Sequence, residues 1–383
     1  MQNTQRGRVV FGWAAEGGSP LIHRRLSAYT RLGYSVTYAG CDRLRNSKDR
    51  TEGGVEYRYI TRGFGYANWK LIIGIPWWIL KLFLFGLRAR ADVFHAFDLD
   101  SGFPLAAAAR LRKIPLIYDV LDNFDLRHHW PWPLMTLIRA AERFTCRTAG
   151  VIAVTDQNRV LGTLAGFADK VVVINGCPPD RRVPPGVAEA GIQQGLTVAL
   201  VGFLAYQRGL GLLLEAARAL PQVRFVLIGR LAEAAAAPVM AALPNVTHLG
   251  ALDWEQCIVE LSRTDIVCAF YNPAIPINRL AASQKWYDAM MLGIPILSNR
   301  EIVNAAWIER EDIGYTAPYD AAAVTALIEQ ISRDPVGRRR KGANGRRLYE
   351  TELNWNAMED RLCSRIGAAI DAARRARDVE ANR

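Results

Sequence analysis

Lys285 and Asp288 are the two side chains of this sequence whose types and spacing best suit joint chemistry. They lie in residues 278–295, NRLAASQKWYDAMMLGIP, where Gly293 and Pro295 predict the end of a helix. Residues three positions apart share one side of a helix. The lysine could therefore hold a diphosphate near the helix start, while the carboxylate accepts hydrogen bonds from sugar hydroxyls. Ordinary surface ion pairs have the same spacing, so the pair alone leaves both interpretations open.

Further candidates follow predicted strands in the first half of the chain. Gly17 and Gly18 come after the first strand, and glycines there let a backbone approach an anion closely. His95 lies at the end of a later strand, where ligand sites of parallel α/β sheets form. Asp122 belongs to three acidic residues within seven positions around the end of the strand at 116–120, a density that favours a general base. Ordinary structural roles would explain the same residues. The glycines could form a strand–helix turn, His95 could be a structural histidine, and the aspartates could cap a helix.

Two strands of the second half also end in glycine. Gly202 lies near the end of the strand predicted at 197–203, and Gly229 ends the next strand. Gly202 would permit a ligand to approach the backbone, and Arg208, at the start of the following helix, could pair with a phosphate through two hydrogen bonds. Each feature alone is weak evidence for a ligand site, and their order along the chain is what strengthens the prediction.

Apolar runs alternate with amphipathic stretches along almost the whole chain. This alternation predicts parallel strands buried on both faces and the helices that connect them. Residues 177–194 interrupt it with a segment rich in proline and glycine, which predicts a linker. We therefore expect an α/β protein with two doubly wound, Rossmann-like domains at 1–176 and 195–355, facing each other across a cleft. Residues 356–383 predict a charged amphipathic helix that could pack back on the first domain.

The composition narrows the choice of partners. Residues 1–190 contain 26 Lys and Arg against 16 Asp and Glu, and so carry almost all of the formal net charge of +11. This excess suits nucleic acid, an anionic membrane or a phosphorylated substrate, but no aromatic–basic motif of the known nucleic-acid modules is present. The six cysteines form no CxxC pair and no zinc spacing, so we expect inert thiols in a reducing compartment. The polar first eight residues do not predict a signal peptide.

Residues 71–87, LIIGIPWWILKLFLFGL, are strongly apolar. Their length is at the lower limit for a membrane span, but Pro76 and Lys81 lie inside the run. Trp77 and Trp78, with basic residues on both sides, are typical of a membrane–water interface. A buried core helix, an interfacial helix and a true span are the three alternatives, and the local positive charge favours contact with an anionic membrane surface.

Taken in order, these features resemble the GT-B nucleotide-sugar glycosyltransferases, most closely the large retaining family 4. The resemblance covers roughly residues 8–351 and rests on the Gly17-Gly18 loop and on the segments DVFHAFDLD, IYDVLDNF, VING, VGFLAYQRGL, Asn245-Val246 with Leu249-Gly250, and SQKWYDAMMLGIPIL. It implies that the glycine loop approaches the donor diphosphate. It also implies a nucleotide-sugar co-substrate, with no other cofactor and no required metal.

The resemblance assigns roles to residues near the second motif. It implies that Arg208 and Lys285 bind donor phosphate and that Asp288 holds the donor ribose. Gln284 precedes Lys285 where a subgroup of the family has Asn-Lys. Leu280 departs from the family pattern, because the first of two paired acidic residues is expected at that position.

The first half also departs from the family 4 pattern. Phe97 replaces a histidine that often contacts the sugar, so His95 cannot simply inherit that role. A fainter similarity to the xanthan-type inverting glucuronosyltransferases places Asp122 at the position of the catalytic base. Whether the anomeric configuration is retained or inverted stays open. With inversion Asp122 would be the base, and with retention Asp122 and His95 would position the acceptor.

We therefore expect a hexosyltransferase that moves a sugar from a nucleoside-diphosphate donor to a lipid-linked or oligosaccharide acceptor in the assembly of a bacterial polysaccharide such as an exopolysaccharide. The basic, tryptophan-containing first half favours a peripheral position on the cytoplasmic face of the cell membrane. A nucleotide-sugar epimerase of the same shape is one alternative, and it would need no membrane contact. An inactive GT-B scaffold in a polysaccharide assembly complex is another, which Leu280 and Phe97 keep open.

Overall fold

The computed structural model describes residues 6–63, 70–127, 131–181 and 195–381. The chain divides into two compact units. The first comprises Met1–Ile174 with Glu359–Arg383, and the second comprises Asn175–Met358. Most of the linker predicted at 177–194 lies outside the described residues. The domain bounds drawn from the sequence therefore stay predictions.

The first unit is built on an eight-stranded sheet with the order β3-β4-β2-β1-β5-β6-β7-β8. Its strands are β1 (Gly7–Trp13), β2 (Tyr34–Asp42), β3 (Arg50–Glu52), β4 (Val55–Arg62), β5 (Val93–Phe97), β6 (Leu116–Val120), β7 (Ala149–Val154) and β8 (Val171–Val173). Neighbouring strands are parallel except for β3 and β4. Every residue of β5 and β6 is buried, as expected for the central strands of a parallel sheet that helices cover.

The helices of the first unit connect the strands of the sheet, and one of them contains the apolar segment at 71–87. They are α1 (Pro20–Arg31), α2 (Lys70–Arg88), α3 (Asp98–Arg112), α4 (Phe124–Arg127) and α5 (Trp132–Thr148). α2 packs against α3, and α3 packs against α5. One side of α2 buries Trp78 and Leu82 in the core, whereas Ile73, Trp77 and Leu80 on its other side are exposed. Within the described ranges, no helix is long and apolar enough to cross a membrane.

The second unit contains a six-stranded parallel sheet with the order β11-β10-β9-β12-β13-β14. Its strands are β9 (Thr197–Val201), β10 (Arg224–Ile228), β11 (Val246–His248), β12 (Ile266–Ala269), β13 (Ile296–Asn299) and β14 (Gly314–Ala317). Its helices are α6 (Leu210–Ala219), α7 (Ala236–Ala241), α8 (Trp254–Leu261), α9 (Gln284–Leu292), α10 (Ala305–Arg310), α11 (Ala321–Ser332) and α12 (Pro335–Thr351). The last helix, α13 (Trp355–Ala381), begins in this unit, and its residues from Glu359 onward belong to the first unit.

Both units are parallel α/β sheets of the Rossmann type, which confirms the fold predicted from the alternating pattern. The structure adds β4, whose residues alternate between buried and more exposed positions, because this strand is covered less completely than β5 and β6. Five of the six cysteines are buried, and none forms a disulfide. Burial raises the pKa of the Cys146 thiol to about 12, which makes it unreactive at neutral pH.

Candidate active site

The Lys285 side chain lies over the backbone of Gly202 in the second unit. A methyl group at Gly202 would come within 3.0 Å of the Cε atom and 3.3 Å of the Nζ atom of Lys285. Gly202 directly follows β9 and has a φ of 108°, a conformation that glycine adopts at low cost. Gly229, after the neighbouring β10, is so close that a methyl group there would lie 1.7 Å from the Gly202 carbonyl oxygen. The ammonium group is thus held at the edge of the sheet where α/β proteins bind ligands.

The start of α9 adds two further features of an anion site. Lys285 is in the first turn of this helix, where backbone N–H groups and the helix dipole favour negative charge. The hydroxyl of Ser283, just before the helix, is buried and has no hydrogen-bond partner among the described residues. A cation, a helix start and a spare hydroxyl within three positions are the components of a phosphate-binding site.

Asp288 lies one turn further along α9 and is held by Trp254. The indole Nε1–H of Trp254 donates a hydrogen bond to Oδ1 of Asp288 at 3.2 Å. Trp254 is the first residue of α8, and a reciprocal capping box between Asp253 and Gln256 stabilises the start of that helix. Because the cap defines where α8 begins, it also positions the indole that orients the carboxylate.

Arg208 and Gln284 are at the same end of the sheet but contact other groups. The guanidinium carbon of Arg208 lies 4.7 Å from the centroid of the Tyr271 ring, a cation–π distance. Tyr271 comes shortly after β12, the strand next to β9, so Arg208 lies near the same edge as Gly202. Gln284 packs against Gly176, where an added methyl group would lie 2.7 Å from its Cγ atom.

In the first unit, Asp98 organises the loop that carries Asp122. Asp98 begins α3 with a φ of 56°, and its Oδ1 accepts hydrogen bonds from the N–H groups of Leu121 at 3.0 Å and Asp122 at 3.3 Å. The Asp122 carboxylate pairs with Arg159 at 2.9 Å and remains 37 % exposed. Asp122 therefore lies at the carboxyl end of β6 with a side chain that solvent reaches.

His95 is fully buried, which does not fit the expected contact with an acceptor. Its Nδ1 lies 3.1 Å from the Tyr29 hydroxyl, and its ring stacks on Phe11 with 4.5 Å between centroids. The Asp119 carboxylate lies 3.5 Å from Nε2. The sequence shows that His95 stands near a strand end, but only the packing of α1 over β5 shows that no substrate reaches the ring. We therefore correct its assignment to a core residue.

The core around His95 contains a buried ion pair. Arg25 donates from Nε to Asp119 at 2.9 Å, and neither side chain is exposed. Burial alone would raise the pKa of Asp119, but Arg25 and His95 beside it outweigh that effect and hold the pKa below its ordinary value. Burial also lowers the pKa of His95, although Asp119 opposes this shift. The core therefore contains a charged Arg25–Asp119 pair beside a neutral imidazole.

The loop with Gly18 is fixed by hydrogen bonds from two tyrosine hydroxyls, and there is open space beside Gly18 itself. The Tyr38 hydroxyl donates to the carbonyl of Ala15 at 2.8 Å, and the Tyr59 hydroxyl donates to that of Glu16 at 2.7 Å. A methyl group at Gly18 would meet no atom within 4 Å. Gly18 therefore faces open space just before the start of α1, as a residue of an anion-binding turn would.

Sequence reasoning missed Trp254, Arg159 and Ser283. The Asp253-x-x-Gln256 capping pattern was visible, but it marks a helix start and does not reveal the partner of Trp254. Arg159 and Ser283 carried no comparable signal. Across the described ranges, no group of three or more His, Cys, Asp or Glu side chains could hold a metal ion.

Two Rossmann-like units, with a glycine-ended central strand and a cationic helix start in the second, are the features expected of a GT-B protein. The chain matches the Glycosyl transferase 4-like domain family over residues 16–177 and the Glycosyl transferase-like family over residues 208–364. Together the two matches cover most of the chain, which belongs to the glycosyltransferases with the GT-B fold. Membership of family 4 in the narrower sense stays a prediction.

Solved structures share this fold over nearly the whole chain. Sucrose-phosphate synthase from Thermosynechococcus elongatus is 16% identical with a TM-score of 0.72, covering 99% of this chain and 100% of that one. HepE from Anabaena, solved with UDP-glucose, is 15% identical with a TM-score of 0.70, covering 95% and 100%. WaaG, a glycosyltransferase involved in lipopolysaccharide biosynthesis, is 12% identical with a TM-score of 0.65, covering 92% and 98%. At these identities the likeness shows the fold alone. No curated protein matches the chain.

Proposed function

We propose that this glycosyltransferase moves a hexosyl group from a nucleoside-diphosphate sugar to a lipid-linked saccharide at the inner face of the cell membrane, in the assembly of a bacterial polysaccharide. The observation that carries the donor assignment is the Lys285 ammonium group over Gly202 at the start of α9. The solved complexes of HepE with UDP and with UDP-glucose support a donor of this chemical class. The role of WaaG in lipopolysaccharide biosynthesis supports a saccharide acceptor.

In the proposed donor site, positive charge stabilises the leaving diphosphate. Lys285 and Arg208 neutralise the charge that develops on the leaving diphosphate, and cationic side chains and a helix start take the place of a metal ion. Gly202 lets the diphosphate approach the backbone, and Asp288, oriented by Trp254, accepts hydrogen bonds from the ribose hydroxyls. Gln284 positions the first turn of α9 through its contact with Gly176.

The first unit supplies the proposed acceptor side. Asp122 is partly exposed at the carboxyl end of β6 and is held there by Asp98 and Arg159. If the reaction inverts the anomeric configuration, Asp122 removes the proton of the attacking hydroxyl. If the configuration is retained, Asp122 orients the acceptor. Gly18 faces open space just before the start of α1, where backbone N–H groups suit an anionic ligand.

A thermal-shift comparison of UDP, GDP, dTDP and CMP sugars tests the donor site. A ligand that binds only the native state raises the melting temperature as its concentration rises. We expect one nucleotide class to stabilise the protein and Lys285→Ala to lose this effect. The same variant should reduce the turnover of that donor by about 100-fold or more.

Arg333→Ala is the matched control, because Arg333 is an exposed cation on the same unit whose partner is Glu329. It should respond to the donor as the native protein does. Equal stabilisation of the native protein and Lys285→Ala would contradict the site. Donor turnover that isomerises the sugar without any acceptor would contradict glycosyl transfer.

A further inference from the structure

We propose that the exposed sides of α2 and α5 form a membrane-docking surface that binds an anionic phospholipid bilayer. The docking surface consists of six exposed apolar residues, Ile73, Trp77 and Leu80 on α2 and Trp132, Leu134 and Leu137 on α5. The inference deepens the proposed function, because it states which part of the enzyme meets the membrane that carries the acceptor.

The first argument is the exposure of these side chains. They are between 39 % and 79 % exposed, and both helices pack against α3 in one layer. Single apolar residues on a surface need no explanation, but several large exposed apolar side chains on two helices that flank α3 indicate an interaction site. Two of the six are tryptophans, which favour the boundary between lipid and water because the ring is apolar and its N–H is polar.

The second argument is their position relative to the acceptor side. Each helix of this layer connects parallel strands and runs back along the sheet, so it begins at the carboxyl edge. Five of the six residues lie in the first half of α2 or α5, and Leu80 lies just past the middle of α2. The loop with Asp122 follows β6 at the same edge. A bilayer bound at the docking surface would therefore lie beside the proposed acceptor carboxylate.

The third argument is an apolar groove between the middle parts of α2 and α3. It has a volume of about 420 Å³ and is lined by apolar side chains that include Ile79, Leu80 and Phe83 of α2 and Phe103 of α3. Pro76 and Pro104, one from each helix, also line it. Because the groove offers contacts to hydrocarbon and almost no hydrogen-bonding groups, it suits part of an acyl or isoprenoid chain.

The fourth argument is the charge of the layer. All acidic residues of α2, α3 and α5 are buried: Asp98, Asp100 and Glu142. On α5, the exposed residues Arg139 and Arg143 follow Leu137, whereas Arg88, Arg110 and Arg147 are in the last turns of their helices. The Lys81 ammonium group lies 4.8 Å from the centroid of the Trp77 ring, within the docking surface itself. Among the described residues of these three helices, the exposed charge is therefore positive, which is complementary to anionic lipid head groups.

Vesicle binding by the full chain tests this surface. The protein is sedimented with vesicles of phosphatidylcholine alone or mixed with phosphatidylglycerol, at low and high salt. We expect binding to the anionic vesicles that weakens at high salt. In the triple variant Trp77→Ser, Trp132→Ser and Leu137→Ser, binding should fall by at least about tenfold, because three apolar side chains no longer enter the bilayer.

The matched control replaces the same number of exposed apolar residues elsewhere: Leu111→Ser, Val303→Ser and Val336→Ser. Leu111 is at the far end of α3, and the other two belong to the second unit. This variant should bind vesicles like the native protein. Absence of vesicle binding by the native protein, undiminished binding by the first triple variant, or an equal loss in the control would each overturn the inference.

Donor-induced thermal stabilisation, measured without lipid on the same proteins, separates this inference from the proposed function. Stabilisation of every variant by the donor, without vesicle binding, would leave the donor chemistry in place and remove the docking surface. Vesicle binding without any donor-induced stabilisation would leave the docking surface in place and contradict the proposed donor site.

Discussion

Oδ1 of Asp98 accepts the backbone N–H of Asp122 at 3.3 Å and so connects the start of α3 to the loop after β6. The same oxygen accepts the N–H of Leu121 at 3.0 Å. Two loops at neighbouring strand ends therefore share one buried carboxylate. The side chain proposed to face the acceptor is positioned by an aspartate that need not touch the acceptor itself.

Asp98→Ala should lower both stability and turnover. The loop loses two hydrogen bonds to a buried acceptor, which costs about 1–3 kcal/mol in the free energy of unfolding. Asp98→Asn is the conservative control, because the amide keeps an acceptor oxygen and asparagine tolerates a φ of 56°. Urea unfolding and initial transfer rates should show a large loss in the alanine variant and a small one in the asparagine variant. Equal losses of stability and transfer rate in the two variants would mean that the hydrogen bonds to the loop do not explain the effect of Asp98.

Asp122→Asn should lower kcat for transfer while the donor still stabilises the protein. The carboxylate acts on the acceptor in our proposal, so donor binding to the second unit does not depend on it. If the NMR spectrum of the product shows an inverted anomeric centre, the loss should be about 100-fold or more, because the general base is gone. A variant with native kcat would remove Asp122 from the acceptor side.

Gly202→Ala should weaken donor binding by about tenfold or more. The new methyl group would lie 3.3 Å from Nζ of Lys285 and would force a φ of 108° on an alanine, so the ammonium group would be displaced. KM for the donor is the quantity to measure. Gly367→Ala is the control, since a methyl group there meets no atom within 4 Å and lies within a helix. It should leave KM unchanged and stabilise the helix slightly.

Asp288→Ala should remove the preference for a ribose over a 2′-deoxyribose in the donor. A carboxylate that accepts hydrogen bonds from ribose hydroxyls discriminates by about 10–100-fold, and alanine cannot do so. The measurement compares kcat/KM for the ribose and deoxyribose forms of the accepted donor. The discrimination shown by Trp254→Phe should lie between that of the native protein and that of Asp288→Ala, because the carboxylate remains but loses its hydrogen bond from the indole. Full discrimination by the alanine variant would place the ribose elsewhere.

The core around His95 should lose stability in acid in two steps. His95 has a pKa below its ordinary value of 6.5 and Asp119 one below its ordinary value of 3.8, so in both cases the unfolded state binds more protons. Stability is therefore complete above the unfolded pKa values and falls as the pH drops, first below about 6.5 and then below about 3.8. Urea midpoints measured against pH will show this decline.

His95→Gln should flatten the first step, because glutamine does not titrate. His248→Gln changes an exposed histidine of the second unit and should keep the native profile. A His95→Gln profile as steep as that of the native protein between pH 7 and 5 would assign the decline to other groups.

The sequence by itself determined the class of fold and the local chemistry of the donor helix. Apolar runs of strand length that alternate with amphipathic stretches allow little besides parallel α/β sheets, because both faces of such strands must be covered. Lys285 and Asp288 could be recognised for a similar reason, since helical spacing depends on local geometry alone.

Only the tertiary structure decided which distant residues meet and which are buried. Lys285 lies over Gly202, far away in the sequence, because α9 packs against β12, the neighbour of β9 in the sheet. His95 stood at a promising strand end but lies inside the core under Tyr29. The segment at 71–87 admitted three interpretations, and its helix has one buried side and one exposed side. Contacts and burial depend on how the helices and strands are arranged in space. The periodicity of one segment therefore cannot predict which other elements pack against it.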